Sequence, residues 1–191
     1  MSHHIYTTPG FIVHSAPHGE AGKYFLIFTR ELGMISATAQ GVRFSQSKLR
    51  YHIQDYSSSL FSVVKGKEVW RVTGAKEIEG KGEVTAENRK LYVRILSLLK
   101  RLVPGEEKNE KLFEVVEKLQ GYLCSRAPAG GLVEYVTVLR ILHHLGYISN
   151  ADMFMEILSD TDLNDQVLNK VSNLKDEMVR EINRGLKESQ L

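Results

Sequence analysis

A chain of 191 residues, 42% hydrophobic and 25% charged, has room for one large domain or two small ones and the balance of a soluble globular protein. Its single cysteine, Cys124, excludes an internal disulfide and any cysteine-based zinc or iron–sulfur site. No run nears the about 18 apolar residues of a membrane span, and the start MSHHIYTTPG lacks the layout of a secretory signal, so a reducing cytoplasm and no membrane contact are expected. The net charge is only +2, yet residues 41–76 hold seven Lys or Arg against two acids, a local field of the kind that attracts polyanions.

The first 80 residues read as strands, at 6–15, 24–29, 34–41, 57–65 and 68–76, each rich in β-branched or aromatic residues and bounded by Pro, Gly, Ser or Asp. Pro17-His18-Gly19 and Leu32-Gly33 read as the first two turns. Lys65-Gly66-Lys67-Glu68 reads as a tight hairpin, with Gly66 able to take a positive φ at little cost. Five short strands in a segment of this length suggest a small closed barrel, most simply a five-stranded Greek-key barrel of the OB type.

After Gly80-Lys81-Gly82, a linker, the apolar period changes from two to about 3.6. Leu91, Ile95, Leu98 and Leu102 form one stripe, ended by Pro104-Gly105. Leu112, Val115, Val116, Leu119 and Leu123 form a second, before the break Ala127-Pro128-Ala129-Gly130-Gly131. Leu132, Val136, Leu139, Leu142 and Leu145 form a third, stopped at Gly146. A short helix is expected around 151–158 and a longer one around 163–186, carrying Val167, Val171, Leu174, Met178 and Ile182. These stripes are most simply packing faces of a bundle, the alternative being that one of them is an exposed partner groove. The organisation expected is α+β, a barrel at 1–80 followed by an α-helical domain at 81–191.

Catalytic chemistry finds little support. His3-His4 stand at the start, His14 and His18 straddle the first turn, His52 lies in the basic stretch, and His143-His144 are helical neighbours pointing about 100° apart. Glu106-Glu107 follow a Pro-Gly break, and Asp160, Asp162 and Asp165 at a helix start are explained by capping and the helix dipole. No phosphate-cradling glycine loop occurs. A hydrolase built on scattered His and Asp is unsupported, and no catalytic residue, metal or cofactor is assigned.

The stretch Gly41-Val42-Arg43-Phe44-Ser45-Gln46-Ser47-Lys48-Leu49-Arg50-Tyr51-His52 is different. It interleaves three cations, two aromatics and small polar groups between two strands. Cations neutralise phosphates, hydroxyls and amides hydrogen-bond to phosphate or sugar, and exposed rings stack on bases, a mixture suited to single-stranded nucleic acid. Lys65-Gly66-Lys67 would extend the track. The alternative is that Phe44 and Tyr51 fill the barrel end while the cations merely keep the loop soluble.

Ile12-Val13, Gly19-Glu20-Ala21, Phe28-Thr29-Arg30-Glu31-Leu32-Gly33, Ser36-Ala37, Gly41-Val42-Arg43, Ser47-Lys48-Leu49 and Gln54, in this order and spacing, resemble the bacterial RecO family of recombination mediator proteins. Trp70-Arg71-Val72-Thr73-Gly74-Ala75 resembles the family's fifth strand. Leu139-Arg140-Ile141-Leu142 running into Leu145-Gly146-Tyr147 resembles its helical domain. The chain departs from the family pattern in carrying no four-cysteine zinc module after Tyr147, in Gly22 where an acid is usual, and in Gln40 where a lysine is common.

The resemblance implies an OB-fold barrel and a helical domain that together bind single- and double-stranded DNA and anneal strands without nucleotide hydrolysis. It further implies work with RecR and single-stranded DNA-binding protein in loading RecA, in the bacterial cytoplasm at the nucleoid. The nucleic-acid-binding residues expected are Lys23, Arg43, Lys48, Arg50, Lys65, Lys67 and Arg71 on the backbone, with Phe44 and Tyr51 on bases. The alternative reading is a protein-interaction adaptor that keeps the OB fold and binds DNA weakly, its acidic stretch 152–165 repelling DNA.

Overall fold

The computed structural model describes residues 4–125 and 128–190. His3 and Ala127, both named in the sequence reading, lie outside the described residues. The chain forms two compact units, one of Met1–Lys81 with Val103–Glu110, the other of Gly82–Leu102 with Lys111–Leu191.

Five strands make the first unit: β1 (Ile5–His18), β2 (Gly22–Thr29), β3 (Gly33–Ala39), β4 (Ser58–Lys65) and β5 (Trp70–Lys76). They close in the order β1-β2-β3-β5-β4, antiparallel except for β3 and β5, which run parallel. This is an OB-fold barrel. Closure depends on the long first strand, whose early residues pair with β4 and later residues with β2. A register shift between Ile12 and His14 bends it from one neighbour to the other, as a β-bulge does. Pro17 and His18, expected in a turn, extend this strand opposite Lys23 and Gly22. The turn is left to residues 19–21, where Gly19 takes φ +62°.

Alternating residues fill the barrel: Ile12, Phe25, Ile27, Ile35, Ala37, Phe61, Val63, Trp70 and Val72 are buried in one cluster. The pairing of β3 with β5 covers only Ala37 and Thr38, and residues 103–110 seal the remaining seam. There the Met34 N–H donates to Gly105 O at 3.0 Å, and Lys108 pairs with Glu31 at 2.8 Å. Gly33, with φ +69°, makes this approach possible, because a Cβ there would sit 2.3 Å from Glu107 O. Gly66 is needed for a reason other than the one expected. Its φ is not positive, but a Cβ would stand 2.3 Å from Val69 O, the carbonyl to which its own N–H donates.

The second unit holds α1 (Arg89–Leu102), α2 (Glu110–Ser125), α3 (Gly131–His144), a 3-10 turn (Ala151–Phe154) running into α4 (Met155–Leu158), α5 (Asp165–Lys170), a 3-10 turn (Ser172–Leu174) and α6 (Lys175–Glu188). Helix α3 is buried nearly all round and packs against α1, α4, α5 and α6, as expected of a central helix. In α1, Tyr92, Leu96 and Leu99 join the core while Leu98 is only half-buried, so the apolar face is rotated from the expected stripe.

The single helix expected at 163–186 is two helices. Ser172 Oγ donates to Asn169 O at 2.9 Å, and such local bonding by Ser competes with helix continuation. The start of α5 is capped by Asn164, whose Oδ1 accepts from Val167 N at 3.0 Å, rather than by an aspartate. Asp160 Oδ1 instead accepts from Asp162 N.

Two buried charged side chains fasten the irregular segment between α3 and α5. Arg140 donates from Nε to Ile157 O at 2.8 Å and from Nη1 to Thr161 O at 3.0 Å. Glu181 accepts from the backbone N–H groups of Ser149 and Asn150 at 3.1 and 3.3 Å and pairs with Arg184. Among the described residues, no helix is long and apolar enough to cross a membrane.

Candidate nucleic-acid interface

The strand register sets two of the expected site residues, Lys23 and Arg71, on either side of the end of β3, whereas Lys65 and Lys67 lie where β4 runs into β5, at the opposite end of β4 from Ser58, where the loop rejoins the sheet. Lys23 of β2 stands opposite Ala39, the last residue of β3, and the basic loop leaves β3 immediately after it. Arg71 of β5 is in register with Thr38, and Lys65 of β4 with Trp70.

Residues 40–57 form that loop, and apolar residues anchor it. Val42 and Ile53 are 3% and 2% exposed within the barrel cluster, and Leu49 packs against it. Gly41, with φ +66°, begins the turn, and Phe44 N donates to Gly41 O. A 3-10 turn, Lys48–Tyr51, follows. Beyond it, Ser59 Oγ donates to His52 O at 2.6 Å, and Tyr56 N to Ile12 O at 3.1 Å. Tyr56 itself takes φ +65°, an uncommon conformation for a bulky residue, imposed where the loop rejoins the barrel at the β1 bulge.

The alternative role for Phe44 and Tyr51, filling the barrel end, is taken by Val42, Leu49 and Ile53. Phe44 is 63% and Tyr51 68% exposed. The Arg50 guanidinium lies 5.3 Å from the centre of the Tyr51 ring, a cation–π arrangement that holds charge and ring together. Lys48 is exposed on the same turn. Arg43 is exposed, its N–H donating to Ala21 O at 2.9 Å and its Nη1 to Glu20 O at 3.3 Å, which ties the loop to the β1–β2 turn.

The other cations differ in how they are engaged. Lys23 donates to Ser15 Oγ at 3.3 Å, and Ser15 in turn donates to Asp55, so Lys23 already faces a carboxylate across a hydroxyl. Arg71 points outward from β5, between inward-facing Trp70 and Val72. Lys67 is exposed in the β4–β5 turn. Lys65 pairs with Glu106 Oε2 at 3.1 Å and stands 5.2 Å from the Trp70 ring centre, while Trp70 Nε1 donates to Glu106 Oε1 at 2.9 Å. Sequence reasoning named Glu106 only as a carboxylate after the Pro-Gly break and missed its pairing with Lys65 and Trp70, 41 and 36 residues away.

Among the described residues, no group of three or more His, Cys, Asp or Glu could hold a metal ion. The arrangement offers phosphate-neutralising cations and two exposed rings on an anchored loop, and no nucleophile–base pair is brought together in it.

Residues 1–80 match the family model described as Recombination protein O N terminal. The chain is similar to the DNA repair protein RecO of Heliobacterium modesticaldum, 29% identical over 156 residues, which cover 80% of this chain and 55% of that one. It is similar to the protein of the same name from Alkaliphilus metalliredigens, 29% identical over 111 residues, 57% of this chain and 45% of the relative. For that of Dehalococcoides mccartyi the figures are 28% over 117 residues, 59% and 46%. The chain thus spans about half the length of the curated relatives it matches.

Proposed function

We propose, from the match of residues 1–80 to the Recombination protein O N-terminal model, the likeness to DNA repair proteins named RecO and the anchored, ring-bearing loop, that this chain is a member of the RecO family and binds DNA through its OB barrel during recombinational repair. Phosphates are neutralised by Arg43, Lys48, Arg50, Lys67 and Arg71, and unpaired bases stack on Phe44 and Tyr51. Duplex DNA is held by the same cations. Complementary strands concentrated on a cationic surface anneal without nucleotide hydrolysis, so the function needs no catalytic residue. In this reading the protein acts with RecR and single-stranded DNA-binding protein to help load RecA, in the bacterial cytoplasm at the nucleoid.

The observation that carries the proposal is the division of labour in the loop: Val42, Leu49 and Ile53 turn inward while Phe44 and Tyr51 remain in water among cations. Rings left exposed in a loop with enough apolar residues to fill the barrel without them have a binding role to fill. The test is fluorescence anisotropy of a labelled single-stranded oligonucleotide over a salt series, with the Arg43/Lys48/Arg50 triple alanine variant alongside. Three lost phosphate contacts flatten the slope of log K against log salt by about 2, at about 0.7 per contact for a single strand. An unchanged slope refutes the assignment.

A second reading, the protein-interaction adaptor, is favoured by Met153 and Met155, exposed beside Asp152 and Glu156 in the second unit. Absence of DNA binding even at low salt would select it.

A further inference from the structure

The β4–β5 arm carries a feature that works against the proposed binding. We propose that Glu106 is a built-in competitor for DNA phosphate, occupying Lys65 and so restraining the contribution of this arm to binding; the proposal rests on the DNA-binding reading. The geometry is that of a phosphate stand-in. One carboxylate oxygen takes the Lys65 ammonium at 3.1 Å, and the other accepts from Trp70 Nε1 at 2.9 Å. The Lys65 ammonium also lies over the Trp70 ring, at 5.2 Å from its centre.

The two contacts differ in consequence. Trp70 belongs to the barrel core, and its indole N–H needs an acceptor, so the Trp70 bond fixes where the carboxylate stands. The Lys65 side chain is 64% and that of Glu106 42% exposed. An ion pair so solvated is weak and exchangeable, and a phosphate arriving at Lys65 meets both competition for the ammonium and repulsion from the carboxylate. Residues 103–110 hold Glu106 in place, through the Gly105 carbonyl bonded to β3 and the Lys108–Glu31 pair. The competitor is therefore fixed to the barrel and does not swing free on a flexible stem.

The test is a double-mutant cycle of Glu106→Gln and Lys65→Ala in the full chain, read by anisotropy of a labelled single-stranded oligonucleotide over a salt series. Gln keeps an acceptor for Trp70 and removes the charge. The single tryptophan of the chain is Trp70, so its emission reports directly whether that hydrogen bond and its surroundings survive. Glu106→Gln is expected to tighten binding by about three- to tenfold at low salt and to steepen the log–log slope by about 0.7, the value of one added phosphate contact. Lys65→Ala alone is expected to change affinity less than about twofold, and in the Glu106→Gln background to abolish the gain. Unchanged binding by Glu106→Gln with unaltered Trp70 emission overturns the proposal. So does a gain that persists without Lys65, which reduces Glu106 to general repulsion. Should Gln disturb the Trp70 emission, the comparison passes to Lys65→Ala with Glu106 retained, where a slope unchanged from that of the parent supports the competitor and a slope flattened by about 0.7, one lost phosphate contact, overturns it. Failure of the parent protein to bind DNA at low salt is a separate result and overturns the DNA-binding reading itself.

Discussion

Removal of the two exposed rings separates a binding role from a structural one most sharply. Phe44 and Tyr51 leave 63% and 68% of their surface in water, so truncating either to Ala removes little buried area, and a stability change within about 0.5 kcal/mol is expected. Tyr51 adds the Arg50 contact at 5.3 Å, worth about 0.5–1 kcal/mol at an exposed site. If each ring stacks on a base, each substitution costs about 1–3 kcal/mol of single-strand binding, roughly five- to 150-fold in affinity.

Duplex DNA presents no unpaired base face, so its affinity for the Phe44→Ala and Tyr51→Ala proteins should match that of the parent. The contrast is Ile53→Ala. This residue is 2% exposed in the barrel cluster, so truncation costs about 2–5 kcal/mol of stability, and binding is lost only as folding is lost. Anisotropy titrations on single-stranded and duplex oligonucleotides, with thermal unfolding, give the three numbers needed for the parent and for each variant. Equal losses on both DNA forms, or unchanged single-strand affinity for both ring variants, refute the stacking role.

Three further outcomes follow from the packing. Gly33→Ala forces a Cβ into a left-handed φ and 2.3 Å from Glu107 O; the backbone conformation alone costs about 1–2 kcal/mol, so a thermal-unfolding loss below about 1 kcal/mol contradicts the close approach. Arg140→Met keeps the apolar stem and removes both carbonyl contacts to Ile157 and Thr161. Two bonds from a charged donor at about 1.5–3 kcal/mol each are offset by release of a buried cation. A net loss of about 1–2 kcal/mol is expected, with faster amide exchange around 157–162, and unchanged exchange there would show that Arg140 does not hold the segment. Burial holds the His144 imidazole below its usual range, with His143, Lys111 and Arg140 acting in the same direction and Glu114 opposing. The unfolded chain therefore takes up this proton first as pH falls, so the contribution of the neutral folded ring is complete above about pH 6.5 and is lost as pH drops through the depressed folded value. His144→Gln should flatten the unfolding free energy against pH just below 6.5, and an unaltered profile refutes the assignment.

The barrel could be read from the sequence because its strands obey a two-residue period strict enough to separate Phe25 and Ile27 from Tyr24 and Leu26, with Gly and Pro marking the turns. What local pattern could not reveal was set by partners distant along the chain. Nothing near Pro17 or His18 announces pairing with Lys23 and Gly22, and the bulge after Ile12 follows from barrel closure. Val167, Val171, Leu174, Met178 and Ile182 keep helical spacing across the break, so apolar period alone could not resolve α5 from α6; the competing hydrogen bond of Ser172 decides it. Glu106 was least visible of all. It follows a Pro-Gly break between two helices, and its meaning depends on the chain returning to the barrel seam.

Within the candidate site the same distinction governs what the residue types could say. Aromatics beside cations suit either a capped barrel or an exposed binding loop, and the choice turns on whether other residues fill the barrel. Val42, Leu49 and Ile53 do so from spacings of seven and four that match no strand and span no continuous helix. Their burial has a consequence for the proposed binding: a loop already tied to the core, donating from Tyr56 N to the Ile12 carbonyl and accepting from Ser59 Oγ at its own His52 carbonyl, would lose little backbone freedom on meeting DNA. The ordering cost is met during folding, so any contacts that Phe44, Tyr51 and the neighbouring cations make in the proposed role would appear largely as affinity. The Lys65 arm is arranged in the opposite sense, its cation engaged by Glu106 before any phosphate is present. In the proposed role, an anchored loop that is ready to bind and an arm that is restrained would let the barrel hold a single strand without holding every polyanion equally well.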